Sequence, residues 1–157
     1  MYGFTMTTIT RKIHLVDIEN LCGTPRPSRR LVQEVRDRYI NFVPLGTHDH
    51  VVLACNHGAC LDVGLGWPGP RLLVRSGHDG ADQALLDVLA DEGIEVRFTG
   101  VVIASGDGIF TEAAARLAQA GLEVLVVSRI AALSKRLTLA AHRIVVFPWP
   151  DLAVEAA

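Results

Sequence analysis

Apolar residues are distributed along this chain in two rhythms that alternate. Near-continuous apolar runs at residues 13–18, 51–54, 71–75, 101–104, 123–127 and 144–147 have no polar face, and they read as strands buried on both sides. Between them, apolar residues recur at three- and four-residue spacing. Ser28 is placed to cap a helix whose stripe is Leu31, Val35, Tyr39 and Phe42. A second helix spans residues 81–92, with Leu85, Leu86, Val88 and Leu89 inward and Gly93 ending it. Residues 111–120, stopped by Gly121, and residues 131–142 are two more. The stretch after the first run, through Gly23, Pro25 and Pro27, reads as loop. The glycine-rich passage up to Pro70 has room for one short helix, and residues 94–98 read as a connector. Strands alternating with helices of this length predict an α/β fold, a three-layer sandwich around a mostly parallel, doubly wound sheet. It occupies residues 13–150 as a single domain, with a flexible segment at 1–12 and a tail at 151–157.

Composition narrows the picture. At 157 residues, 50% hydrophobic and 20% charged, with mean hydropathy +0.31, the chain can bury a full core and is not disordered. The net charge of −2 supplies no global attraction for nucleic acid, so any such contact must come from a local patch. Three cysteines, Cys22, Cys55 and Cys60, without a secretory signal point to a reducing cytoplasm. No apolar run approaches the ~18 residues of a membrane span. Met6 is an alternative start, since nothing before Ile13 has a structural pattern.

The candidate chemistry lies where apolar runs break at acids. Ser105-Gly106-Asp107-Gly108 ends one strand and opens a helix; Asp17 ends the first strand; Asp82 opens the helix at 81–92. In a parallel sheet these positions converge on the carboxyl rim, where open α/β folds bind ligands. Clustered carboxylates raise each other's pKa unless a cation neutralises them, and hard oxygen ligands suit Mg²⁺ or Mn²⁺. Such a site can orient and deprotonate a water for in-line attack on a phosphodiester. The competing interpretation is plain capping, to which Asp82 and Asp107 are both open. Asp17 resists it, because no helix is expected there, and Asn20 three residues on reads as an orienting amide.

Asp-Ile-Glu-Asn after the first strand, Gly-Ala-Asp-Gln-Ala-Leu-Leu before a helix and Ser-Gly-Asp-Gly-Ile-Phe after a later strand occur in this order across residues 13–147. Together they resemble the NYN domain, a branch of the PIN-like fold whose studied members are metal-dependent ribonucleases. The resemblance implies Asp17, Asn20, Asp82 and Asp107 as an acidic metal pocket, Ser105 as its helper, Mg²⁺ or Mn²⁺ as cofactor and RNA as substrate. Family members usually carry another aspartate two residues after Asp107, where this chain has Ile109. Asp79, Glu19 and Glu112 are the acids available to compensate. Asp79 is nearest to a matched residue, whereas strand alternation turns Glu19 away. The rivals are a non-catalytic RNA- or protein-binding module and a phosphohydrolase of small esters.

Arg29 and Arg30, entering the first helix, and Arg129, after the fifth strand, are the candidate contacts for nucleic-acid phosphate. Arg36 and Arg38 read as solvated surface. His48, His50, Cys55, His57 and Cys60 crowd one segment, but their spacing matches no standard zinc finger, and Cys55 reads as a small buried hydrophobe. Gly64-x-Gly66-x-x-Gly69 is followed by no helix and reads as a turn, not a dinucleotide loop. Trp67 and Trp149 flank prolines and read as covers on the core edge before base-stacking platforms. A domain this small has little surface to grip a long substrate, which favours a homodimer.

Overall fold

The computed structural model describes residues 9–148. Met6, Trp149, Pro150, the tail at 151–157 and most of the N-terminal segment lie outside the described residues. Six strands form one sheet: β1 (Lys12–Asp17), β2 (His50–Cys55), β3 (Arg71–Val74), β4 (Gly100–Ala104), β5 (Glu123–Ser128) and β6 (Arg143–Val146). Their order is β3-β2-β1-β4-β5-β6, and every neighbouring pair is parallel. The architecture is a Rossmann-like three-layer sandwich, as the alternation of strands and helices requires.

The two faces of the sheet carry separate apolar clusters. Side chains alternate across each strand, so Leu15, Val52, Ile103 and Val126 face one layer and Val16, Leu53, Val102 and Val127 the other. The first layer is α4 (Gly80–Asp91), α5 (Ile94–Arg97), α6 (Thr111–Gln119) and α7 (Lys135–Ala140), which contribute Leu85, Ile94, Leu117 and Leu137. The second is α1 (Ile18–Cys22), α2 (Arg29–Phe42) and α3 (Cys60–Gly66), which contribute Leu21, Val32, Val35, Tyr39 and Val63. Among the described residues no helix is long and apolar enough to cross a membrane.

Several sequence expectations need correction. The segment after β1 is loop only from Gly23 to Ser28: α1 starts directly at Ile18 and is closed by Gly23, whose φ of +73° suits a glycine C-cap. The Ser28 hydroxyl does cap α2, accepting from Leu31 N–H at 3.1 Å, but the buried stripe is Val32, Val35 and Tyr39, continued by Val43. Phe42 is 55% exposed. The three-four spacing fits both stripes; the facing surface of the sheet selects one. Gly64 and Gly66 lie in a helix, and a Cβ at Gly66 would come within 2.8 Å of Val32, so this glycine permits close approach of α3 to α2. Residues 94–97 form a short helix, and residues 130–140 are a 3₁₀ turn and a separate helix, broken where Ser134 N–H donates to Gly106 O at 2.8 Å. Arg38 is not merely solvated, since it donates to Pro148 O at 3.0 Å. Trp67 is buried against Tyr39, ring centroids 5.4 Å apart, and Cys55 is fully buried.

Candidate metal centre

The chain leaves β1 towards β2 and leaves β4 towards β5, so the strand order reverses between the two adjacent strands, and a crevice opens at their carboxyl ends. Val16 is in register with Ala104, which places the next residues, Asp17 and Ser105, level at that rim. Ser105 Oγ–H donates to Asp17 Oδ2 at 3.0 Å and accepts from Asp107 N–H at 3.2 Å. Asn20 N–H donates to Asp17 Oδ1 at 3.2 Å, and its own Oδ1 accepts from Gly106 N–H at 3.1 Å. Two of these hydrogen bonds, Ser105 to Asp17 and Gly106 to Asn20, brace the first motif against the third, and the other two stiffen each motif internally, with Asn20 and Ser105 as the positioning residues.

Capping turns out to be distributed differently from the sequence expectation. Asp17 is a helix cap, because α1 begins immediately after it. Asp107 is one too, accepting from Ile109 N–H at 3.0 Å to cap the 3₁₀ turn at Gly108–Phe110. Asp82 is not. Position 79 is the N-cap of α4, with φ +54° and no capping bond from its side chain, and Asp82 lies in the first turn facing the crevice. Among the described residues no N–H or O–H group donates to the Asp82 carboxyl; its bonding partner is the Asp17 carboxyl.

The two side chains are nearly sealed, Asp17 being 4% exposed and Asp82 8%. Burial raises the pKa of Asp17, and the bonds from Asp82, Asn20 and Ser105 only partly offset it. Asp82 is pushed up to about 8, by burial first, then by its bond to Asp17, then by the charges of Asp17, Asp107 and Asp79. Without a cation the pair therefore retains a proton at neutral pH.

Asp17, Asp79, Asp82 and Asp107 all line one open cavity of about 370 Å³. Its lining also includes Glu19, Asn56 and Arg75, which sequence reasoning missed or misplaced. Glu19 does not turn away: α1 replaces strand alternation with helical spacing, and the Glu19 carboxylate accepts from Asn56 N–H at 2.9 Å and Asn56 Nδ2–H at 2.7 Å. Glu112 is exposed on α6 and is not part of the lining. None of the three arginines proposed for phosphate lines this cavity. Arg29 pairs with Asp62 at 3.8 Å, Arg30 with Glu34 at 3.3 Å, and Arg129 Nε–H donates to Asn20 O at 3.0 Å. Arg129 thus follows β5 on the same rim and braces α1, whose Asn20 lines the cavity. Ile109 packs partly buried against the core, so the position of the family's further aspartate is apolar here.

A Cβ at Gly106 would lie 2.2 Å from Ala132 O and 2.3 Å from Ser128 Oγ. Gly106→Ala is therefore expected to destabilise the protein by about 3 kcal/mol, read from urea unfolding, because a backbone carbonyl cannot move aside as a side-chain end can.

Among the described residues no three His, Cys, Asp or Glu side chains form a ready-made chelating group. The donor set nevertheless fits a Mg²⁺- or Mn²⁺-type ion, which takes one or two carboxylates and completes its shell with water and substrate phosphate. Asp17 and Asp82 are such a pair, with the cavity open to solvent.

No protein-family model matches the chain, and no curated protein matches it. Its fold resembles the crystal structure of a protein of unknown function from Vibrio parahaemolyticus RIMD 2210633, with a TM-score of 0.57 and 19% identity, covering 88% of this chain and 93% of that one.

Proposed function

We propose that this protein is a Mg²⁺- or Mn²⁺-dependent nuclease of the NYN type that hydrolyses phosphodiester bonds of RNA at the carboxyl rim of its sheet. The observation that supports it best is the Asp17–Asp82 pair: two buried carboxyls bonded to each other on the wall of an open cavity, Asp17 held also by Ser105 and Asn20 while Asp82 has Asp17 as its partner. With both carboxyls ionised the pair repels itself in a buried site, and a divalent cation relieves that conflict where a shared proton otherwise must. A bound cation would supply charge for the phosphodiester and a water of lowered pKa. Asp17 would bind it in the orientation set by Ser105 and Asn20, Asp82 would face it from α4, and Asp107 and Asp79 would hold outer waters. The choice of RNA rests on the ordered motifs that resemble the NYN domain. A reducing, cytoplasmic setting suits the free thiols of Cys22, Cys55 and Cys60.

The test is calorimetric titration of Mg²⁺ and Mn²⁺ into the wild type, Asp17→Asn and Asp82→Asn, followed by RNA cleavage. Saturable binding lost in both variants is the expected result; no binding by the wild type would overturn the reading. A second reading, a binding module with weakened or absent catalysis, is favoured by Ile109 in place of an acid. Ile109→Asp separates the two. It is expected to lose about 2 kcal/mol of stability, since it puts a charge against the core, and a large gain in cleavage would identify the natural protein as the weakened form.

A further inference from the structure

We infer that Arg75 is the residue that grips a phosphate of the RNA strand beside the metal, and that Asp87 holds this arginine in reserve. The inference rests on the nuclease reading of the acidic pocket. Among the described residues lining that pocket, Arg75 has the one cationic side chain, on a wall otherwise acidic at Asp17, Glu19, Asp79, Asp82 and Asp107. A site built only of carboxylates repels a polyanion even after one divalent ion has bound, so a fixed positive charge at its edge is required to seat the strand.

The backbone at Arg75 is firmly placed. Its N–H donates to Cys55 O at 3.0 Å, continuing the β2–β3 ladder. Its carbonyl lies so close to α4 that a Cβ at Gly80 would approach it to 2.7 Å, so a glycine is needed there. Two motifs thus fix the arginine relative to Asp82: the end of β3 and the glycine that opens α4. Only the long side chain is adjustable. Its guanidinium donates to Asp87 at 2.9 Å, but the two side chains are 51% and 60% exposed. A surface pair of this kind holds by about 1 kcal/mol or less, so a phosphate, which accepts two guanidinium N–H bonds at once, can displace Asp87. Asp87 lies on the same helix as Asp82, one and a half turns further along. The arrangement predicts that RNA crosses the pocket on the side of the β3–α4 loop. Arg29 and Arg30 do not line this pocket.

The experiment uses the full chain and a fluorescein-labelled single-stranded RNA with phosphorothioate linkages, which resist hydrolysis. Binding is read by anisotropy in Mg²⁺ over a series of KCl concentrations, beside Mn²⁺ calorimetry of each protein. Arg75→Ala is expected to weaken RNA binding about tenfold and to lower the salt slope by about one, with Mn²⁺ affinity unchanged. Arg75→Lys keeps the salt slope and recovers part of the affinity, since lysine retains the charge but not the fork. Asp87→Ala, which releases the guanidinium, tightens binding about twofold. If Arg75→Ala binds RNA with the wild-type affinity and slope while the wild type binds Mn²⁺ at Asp17 and Asp82, the assignment of Arg75 is wrong and the metal site stands. A wild type that binds Mn²⁺ but no RNA likewise overturns the assignment of Arg75 and leaves the metal site standing. A wild type that binds no Mn²⁺ overturns the nuclease reading and takes the role of Arg75 with it.

Discussion

Replacing Asp82 by asparagine is expected to remove divalent-cation binding and to reduce RNA cleavage at least about a hundredfold, while making the metal-free protein more stable at alkaline pH. Both effects have one cause. The Asp82 carboxyl is 8% exposed and has the Asp17 carboxyl as its bonding partner. Folding therefore places an ionisable group where its charged form is penalised by burial and by three other aspartates. An amide of the same shape can donate to Asp17 without carrying charge, and relief of a conflict of this kind at a functional site is worth about 1–2 kcal/mol.

The pH dependence has a definite sign. The folded-state pKa of Asp82, about 8, is above the ordinary 3.8, so between these values the folded chain binds more protons than the unfolded chain. Its contribution to stability is complete below pH 3.8 and is lost as the pH rises through 8. Metal-free wild type should accordingly show a melting temperature that declines from about pH 5 towards pH 9, and Asp82→Asn should flatten that limb. Saturating Mn²⁺ should lift the wild-type curve most at the alkaline end, where both carboxylates are ionised and bind it. Thermal melts of the two proteins over this range, with and without Mn²⁺, check all three statements. Equal alkaline limbs in wild type and variant would show that the pair does not carry the conflict.

The second large effect is at the opposite end of the sheet. His14 is fully buried on β1 between two partners, with Nδ1 2.7 Å from the Tyr39 hydroxyl and Nε2 2.8 Å from Asp49 Oδ2. The Asp49 carboxylate can only accept, so Nε2 carries the proton and the neutral ring accepts from Tyr39 at Nδ1. Asp49 also accepts from Lys12 N–H at 3.0 Å and Gly46 N–H at 2.9 Å. One carboxylate thus ties the start of β1 to the loop before β2, and through His14 to α2. Asp49→Ala leaves three donors without their acceptor and is expected to destabilise the protein by about 3–5 kcal/mol, measured by urea unfolding.

This network titrates in the other direction. Burial lowers the pKa of His14 below 6.5, outweighing the opposing influence of Asp49. Burial alone would raise Asp49, but the bonds from His14, Gly46 and Lys12 hold it below 3.8. For both groups the unfolded chain binds more protons on the acid side, so their contribution is present above 6.5 and 3.8 respectively and is lost as the pH falls through the lowered values. An acid limb should thus begin below about pH 6.5 in wild type and in Asp82→Asn alike. Two buried clusters with opposite linkage bound the stability of the metal-free protein from the two sides.

The strands were legible because a parallel sheet covered on both faces leaves them no polar positions, and a short uninterrupted apolar run between turn residues fits little else. The convergence of Asp17, Asp82 and Asp107 was legible too, since βα alternation sends every strand end to one rim and acids at strand ends or helix starts meet there, and Asp79 was legible only as a neighbour of Asp82. Helix stripes were less so. Leu31 and Val32 both fit a three-four pattern and both pack against one cluster, and only the tertiary packing decides that Val32 is fully buried and Leu31 partly so. Glu19 was misread because its direction depends on whether the residue after Asp17 continues the strand or opens a helix, and an apolar Ile18 permits either. Arg75 shows no sequence signal at all: nothing in its neighbourhood distinguishes it from Arg29, Arg30 or Arg129.

What the sequence by itself determined was therefore the layer architecture and the identity of the acidic rim, both of which follow from local apolar periodicity and from where it breaks. Tertiary structure decided which aspartates are caps and which one is left with another carboxyl as its partner. It also decided that Arg75, and not Arg29, Arg30 or Arg129, is the arginine in the cavity lining. These outcomes depend on hydrogen bonds between distant residues, 88 positions apart for Ser105 to Asp17 and 109 for Arg129 to Asn20, and a donor that far along the chain is selected by strand register and helix packing, not by the residues beside it.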